Sequence, residues 1–211
     1  LLHGAWLPLL VGLVVFTVMT TWQRGQQIAA VARDTAEGSL GDFIDDIDSR
    51  RPPLPRIPGT GIFLSRGDST APLALRATVH HNRALPQNVI IVAVETPPIP
   101  RVADTERIAR VDNLGNRRDG IFFAAARFGY MERPHIADAL RLVDPTLTEG
   151  VIDVDNASYF LSRLDLSAGP APTMAPWRKR LYISISHVAP DSGYFGIPLE
   201  QTVINGSRIE I

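Results

Sequence analysis

Two adjacent histidines, His80 and His81, are the first candidates for chemistry, because imidazole is the commonest metal ligand. They end the run "APLALRATVHHN", whose spacing predicts a helix, and neighbours on a helix point about 100° apart. Rings so arranged chelate one ion poorly. Helical zinc sites want i, i+4 placement, and no carboxylate completes this set. The pair is expected at a helix end on the surface. His135 and His187 have no partner visible in the sequence. Asp42, Asp45, Asp46 and Asp48 are dense enough to suggest calcium, but the spacing lacks the glycine turn and distal glutamate of an EF-hand loop. A solvated helix face is expected instead. Gly59-Thr60-Gly61 begins like a nucleotide fingerprint. Leu64 stands where the third glycine belongs, and the run precedes a strand, whereas a phosphate loop comes after one. It reads as a turn. No serine lies in a G-x-S-x-G elbow.

Arg101, Arg110, Arg117, Arg118 and Arg127 could hold an anionic ligand; spread over strands and a turn, they are expected on solvated surface. Arg66-Gly67-Asp68-Ser69 spells an adhesion tripeptide with its usual follower, and Asn156-Ala157-Ser158 and Asn205-Gly206-Ser207 are glycosylation sequons. A cytoplasmic domain would keep both chemistries out of reach. The motifs therefore assign no catalytic, cofactor-binding or metal-ligating residue and call for no cofactor. The chain does not read as an enzyme.

The elements that would position these residues are legible from periodicity. Leu40, Phe43, Ile44 and Ile47 recur at i, i+3, i+4, i+7, a short amphipathic helix. Pro52, Pro53, Pro55 and Pro58 then force extended backbone. "IFLS" reads as a buried strand and "NVIIVAVET" as a second, apolar on both faces. With the helix between them they form a βαβ unit, which implies parallel pairing. "RIARVDNLG" and "GIFFAAARFGY" flank "NRRD" as a β-hairpin. "HIADALRLV" is a short helix and "ASYFLSRL" a strand. "WRKRLYISISHVA" fits helix and strand spacing equally, and "QTVINGSRIEI" reads as a terminal hairpin around Asn205-Gly206. The fold class is α/β with a mixed sheet, a βαβ unit plus antiparallel hairpins.

Composition bounds the rest. The chain has 211 residues, 45% hydrophobic, with net charge -1 and no cysteine. Disulfides and thiolate metal sites are excluded, and a nucleic-acid partner has no basic face to meet. Every Asp, Glu, Lys and Arg lies after Trp22. Residues 1–22 are long and apolar enough to span the ~30 Å hydrocarbon layer, with Trp6 and Trp22 near the two interfaces. Arg24 and Arg33, just after the span, favour a cytoplasmic location for the remainder of the chain. The absence of an initiating methionine suggests the C-terminal piece of a longer membrane protein. Three regions are expected: residues 1–22, a transmembrane helix and final span; 23–58, a helical and Pro-rich linker; and 59–211, a cytoplasmic α/β domain.

Several strings in order resemble the KUP/HAK/KT potassium uptake transporters, specifically their last membrane helix and C-terminal cytoplasmic domain. These are "HGAWLPL", "TVMTTWQRG", "PRIPGTGIFLS", "HNRALPQNVIIVAVETPPIPRV", "RFGYMERPHIADAL", "ASYFLSR", "MAPWRKRLY", "YFGIP" and "SRIEI". "SHVAPDSG" and "VINGS" depart from the family's pattern, which bears on local loops.

The resemblance implies potassium uptake, understood in the family as proton symport, through a membrane core whose ion sites are not in this chain. It implies location in the cell (inner) membrane as part of a multi-pass protein. The membrane core of the same transporter and the bilayer, through residues 1–22, would be partners. The α/β domain would serve regulation, coupling and homodimer assembly. Two alternatives stay open: a sensor of a nucleotide, a cyclic dinucleotide among them, and an N-terminally anchored enzyme.

Overall fold

A strand buried on both faces must lie inside a sheet that is covered on both sides. In the computed structural model, which describes residues 6–115, 119–148, 152–169, 172–186 and 196–210, that strand is β2 (Leu85–Glu95). Its run from Val89 to Ala93 is at most 3% exposed. β2 lies between β1 (Arg56–Ser65) and β4 (Ile121–Arg127) and is parallel to both, with Ile90 opposite Ile62 and Phe122. β3 (Ile108–Asn113) runs antiparallel to β4 on its outer side. β5 (Ser158–Ser167) is parallel to β1, and β6 (Thr202–Glu210) lies beyond it, so that the order among the described residues is β3-β4-β2-β1-β5-β6. The α/β class with a mixed sheet is as expected.

Alternation along the strands builds two cores. Val89, Ile91 and Ala93 of β2 join Phe123 of β4 on one face, under Leu40, Phe43, Ile44 and Ile47 of α2 (Leu40–Ser49) and Ala74 and Leu75 of α3 (Leu73–Ala77). Ile90 and Val92 join Phe122 and Ala124 on the other, under Ile136, Ala139 and Leu140 of α4 (Ile136–Arg141). The side-chain period of two assigns neighbouring residues to opposite cores, so a one-residue slip would exchange them. The amphipathic spacing read for α2 matches its four buried residues, and Ser39 caps it by accepting from the Asp42 N–H.

Gly59-Thr60-Gly61 is not a turn. It lies within β1, at an irregularity between Ile57 and Thr60 that the strand absorbs as a bulge. "QTVINGSRIEI" is not a hairpin either: Thr202–Glu210 is a single strand, and the Asn205 amide donates to the Ala74 carbonyl rather than closing a turn. The ambiguous "WRKRLYISIS" is helix α5 (Pro176–Ser186). Pro176 opens it without sacrificing a hydrogen bond, and the Arg178 and Lys179 N–H groups donate to the Ala175 carbonyl. Residues 116–118, with Arg117 and Arg118, lie outside the described residues, as do 187–195, with His187 and most of "SHVAPDSG".

The chain divides into two compact units: residues 37–163 with 190–207, and residues 1–36 with 164–189 and 208–211. The larger holds both cores. The smaller contains nearly all of α1 (Trp6–Glu37), a 32-residue helix ~48 Å long. It is the one described helix long and apolar enough to cross a membrane. Leu9, Leu13, Phe16 and Met19 are each at least 65% exposed. Farther along, Thr21 and Gly25 are buried one turn apart. A Cβ on Gly25 would collide with the Tyr182 ring, so glycine lets α5 lie against α1. Beside it Arg178 donates from Nε to the Thr21 hydroxyl at 2.9 Å and from Nη2 to the Thr20 hydroxyl at 3.2 Å.

Candidate functional site

The carboxyl ends of β2 and β4 open into two loops, and one carboxylate ties them together. After β2 the chain runs Thr96-Pro97-Pro98-Ile99-Pro100-Arg101, extended because its three prolines forbid helix. After β4 it runs Phe128-Gly129-Tyr130-Met131-Glu132-Arg133-Pro134. The Tyr130 N–H donates to the Ile99 carbonyl and the Met131 N–H to that of Pro100, both at 3.1 Å. A Cβ on Gly129 would strike the Pro100 carbonyl oxygen, so only glycine allows this approach. Glu132 then accepts from the Gly129 N–H at 2.6 Å, from the Val102 N–H at 3.1 Å, and from Arg107 at 2.9 and 3.0 Å.

Arg107 is the matching centre on the cationic side. It also donates to the carbonyls of Val102 and Arg127 and lies 4.9 Å from the Phe128 ring centroid. Arg107 and Glu132 are 12% and 17% exposed at the side chain, so the pair is largely withdrawn from solvent. The Arg107 hydrogen bonds, with support from the two backbone donors and against the cost of desolvation, hold the Glu132 carboxyl down to about 2. Arg107 is raised in turn, chiefly by Glu132. A carboxylate with this many donors is structural: it stays ionised and fixes two loops.

Next to the pair is an open groove of about 540 Å³, bordered by Arg101, Arg133, His135, Met131 and Leu142. A smaller one of about 290 Å³ lies between Glu95, Pro97, Ile99 and Arg127. Ile99, Tyr130 and Met131 are exposed beside them, Tyr130 by 62% and Met131 by 68%. This constellation has the means to bind, with cations and apolar side chains around a rigid junction; it holds no nucleophile beside a base.

The residues singled out in the sequence are scattered. His80 and His81 are exposed, with ring centroids 4.7 Å apart at 84°, beyond the end of α3. Among the described residues no group of three or more His, Asp or Glu could hold a metal ion. Asp42, Asp45 and Asp46 lie exposed on α2. Arg110 pairs with Asp68 and Asp112, and Arg127 with Glu95, all on the surface. Of the described members of the arginine series, Arg101 borders the larger groove. Sequence reasoning missed Arg107 and Glu132; the proline run and the glycine of "RFGYMERP" were the available signals.

The strand order also locates where a nucleotide would bind in such a sheet, at the carboxyl ends of β1 and β5, where the chain reverses its direction of travel. Here the Ser162 hydroxyl of β5 accepts from the Ala74 N–H at 2.8 Å, occupying one of the N–H donors at the start of α3.

Comparison with known proteins agrees with the resemblance. Residues 58–211 match the model of the K+ potassium transporter C-terminal domain. The chain is 59% identical over its full length to the probable potassium transport system protein Kup of Rhodococcus jostii. It is 36% identical, over 99% of its length, to Kup 2 of Cupriavidus necator, and 33% identical to Kup of Cutibacterium acnes. It spans about a third of the length of each of these relatives (32%). No solved structure matches it. That is a family of membrane transporters rather than enzymes, and the chain belongs to it, as the C-terminal region of a KUP potassium transporter.

Proposed function

We propose that this chain is the last span and cytoplasmic domain of a transporter that takes up potassium with protons, and that its own work is coupling, regulation and homodimer assembly. The observation that carries this reading is α1. It is exposed from Trp6 to Phe16, carries no charge up to Trp22, is polar beyond, and continues without a break to Glu37. The Glu37 carboxylate accepts from the Thr70 hydroxyl at 2.7 Å, Ala71 donates to the Gly38 carbonyl, and Leu40 donates to that of Ser69. The helix end is thereby laced to the loop after β1, a route by which a span and a sheet can act together. Ile99, Tyr130 and Met131 would give assembly an apolar surface. The full-length transporter in vesicles should accumulate potassium, faster under an inward proton gradient. Glu37→Ala should reduce that rate while leaving insertion intact. No uptake under either condition in well-sealed vesicles would sink the reading.

Nucleotide sensing is the second reading. The strand order favours it, and the Ser162 contact argues against the usual position. Calorimetric titration with adenine nucleotides and cyclic dinucleotides decides between them, with no heat and no thermal shift ending the idea.

A further inference from the structure

Helix α5 meets α1 at two points, and the step between them is four residues on each helix. Arg178 donates to the hydroxyls of Thr20 and Thr21. Tyr182 packs over Gly25 and against Trp22, ring centroids 5.6 Å apart. Equal steps along both helices mean that the two run side by side in the same sense. The first turn of α5 therefore lies near the last apolar turn of α1, with Trp177 one residue, ~1.5 Å of helix rise, closer to the apolar run than Arg178. Trp22 closes the uncharged run at nearly the same height.

The side chains at this level suit a membrane interface. Trp177 is 56% exposed although it belongs to a packed helix. Residues Pro176–Ser186 contain no Asp or Glu and carry Arg178, Lys179 and Arg180 in succession. Two of these are engaged in packing: Arg178 by the threonines, and Lys179, 4% exposed, through Nζ to the Gly169 carbonyl at 2.9 Å. Arg180 is exposed, as is Arg24, two residues beyond Trp22 on α1. Indole rings favour the boundary between acyl chains and headgroups, and guanidinium groups favour the anionic phosphates just outside it.

We infer that the first turn of α5 is a second membrane contact, with Trp177 at headgroup depth beside α1 and Arg180 and Arg24 meeting anionic lipid of the same leaflet. This rests on α1 spanning the bilayer. The partner is the lipid surface, because charge, ring and depth coincide at the end of the apolar helix.

The test uses the 211-residue chain with Trp6→Phe and Trp22→Phe, so that Trp177 is the only indole. It is reconstituted in phosphatidylcholine vesicles with or without phosphatidylglycerol and washed with alkaline carbonate. In phosphatidylglycerol, Trp177 fluorescence should shift to the blue, be quenched by lipid brominated near the headgroup, and resist aqueous acrylamide severalfold. Arg180→Gln should weaken the phosphatidylglycerol-dependent part about fivefold. Acrylamide quenching as strong as that of free indole, with the chain retained after carbonate, would overturn the contact alone. Equal lipid quenching with and without phosphatidylglycerol would overturn it too. Release by carbonate would overturn the span, and this inference with it.

Discussion

Two arginines are drawn into packing, and they are satisfied in opposite ways. In the larger unit Arg107 meets two carboxylates, Glu132 and the exposed Asp104, with two carbonyls and an aromatic ring. In the smaller unit Arg178 meets two threonine hydroxyls and, among the described residues, no acid. The first arrangement cancels charge and fixes geometry. The second fixes geometry and keeps the charge. An ion pair serves where two loops only need to be held, whereas neutral acceptors suit the end of an apolar helix, where a residual positive charge can be turned to use.

The largest effect should come from breaking the cancelled pair. Glu132→Ala leaves Arg107 and the N–H groups of Gly129 and Val102 without their acceptor, at a cost of about 3 kcal/mol or more. A urea unfolding series on the chain in micelles would show it as a lower midpoint. Acid approaches the same pair from another side. The Glu132 carboxyl is depressed from 4.5 to about 2, so its contribution is fully present above pH 4.5 and is lost as pH falls through about 2. Melting temperature against pH should fall through that window, and Glu132→Gln should flatten this part of the curve.

The contact that keeps its charge breaks through size. Gly25→Ala would raise helix stability by about 1 kcal/mol on an isolated helix. Here the added methyl strikes Tyr182, so the sign should reverse to a loss of about 1–3 kcal/mol. A double-mutant cycle with Tyr182→Ala would recover the gain. Arg178→Lys keeps the charge but loses the fork that reaches both threonines, for about 1 kcal/mol by the same unfolding measurement. The smallest effect belongs to a surface pair. Arg50→Gln removes the i, i+4 contact to Asp46 and should cost at most about 0.5 kcal/mol.

Sequence patterns were legible where they were local. The α2 spacing and the apolar run of β2 each carry their burial in a few consecutive residues, so periodicity named them. The β3–β4 hairpin was announced by its flanking glycines. The Arg107–Glu132 junction was invisible, because its partners are 25 residues apart and ion pairing leaves no period. Asn205-Gly206 carried a turn signal, but the strand that contains it is extended. The sheet outweighed the local preference. For α5, helix and strand spacing tied, and the contacts of Arg178 and Tyr182 with α1 that accompany the helix lie more than 150 residues away in sequence.

The depressed carboxyl of Glu132 has a consequence for signalling. Held down to about 2 by Arg107 and two backbone donors, that carboxyl is ionised throughout the physiological pH range. No physiological swing in acidity can address the junction. It stays a fixed ion pair between the loops after β2 and β4 across that whole range of acidity.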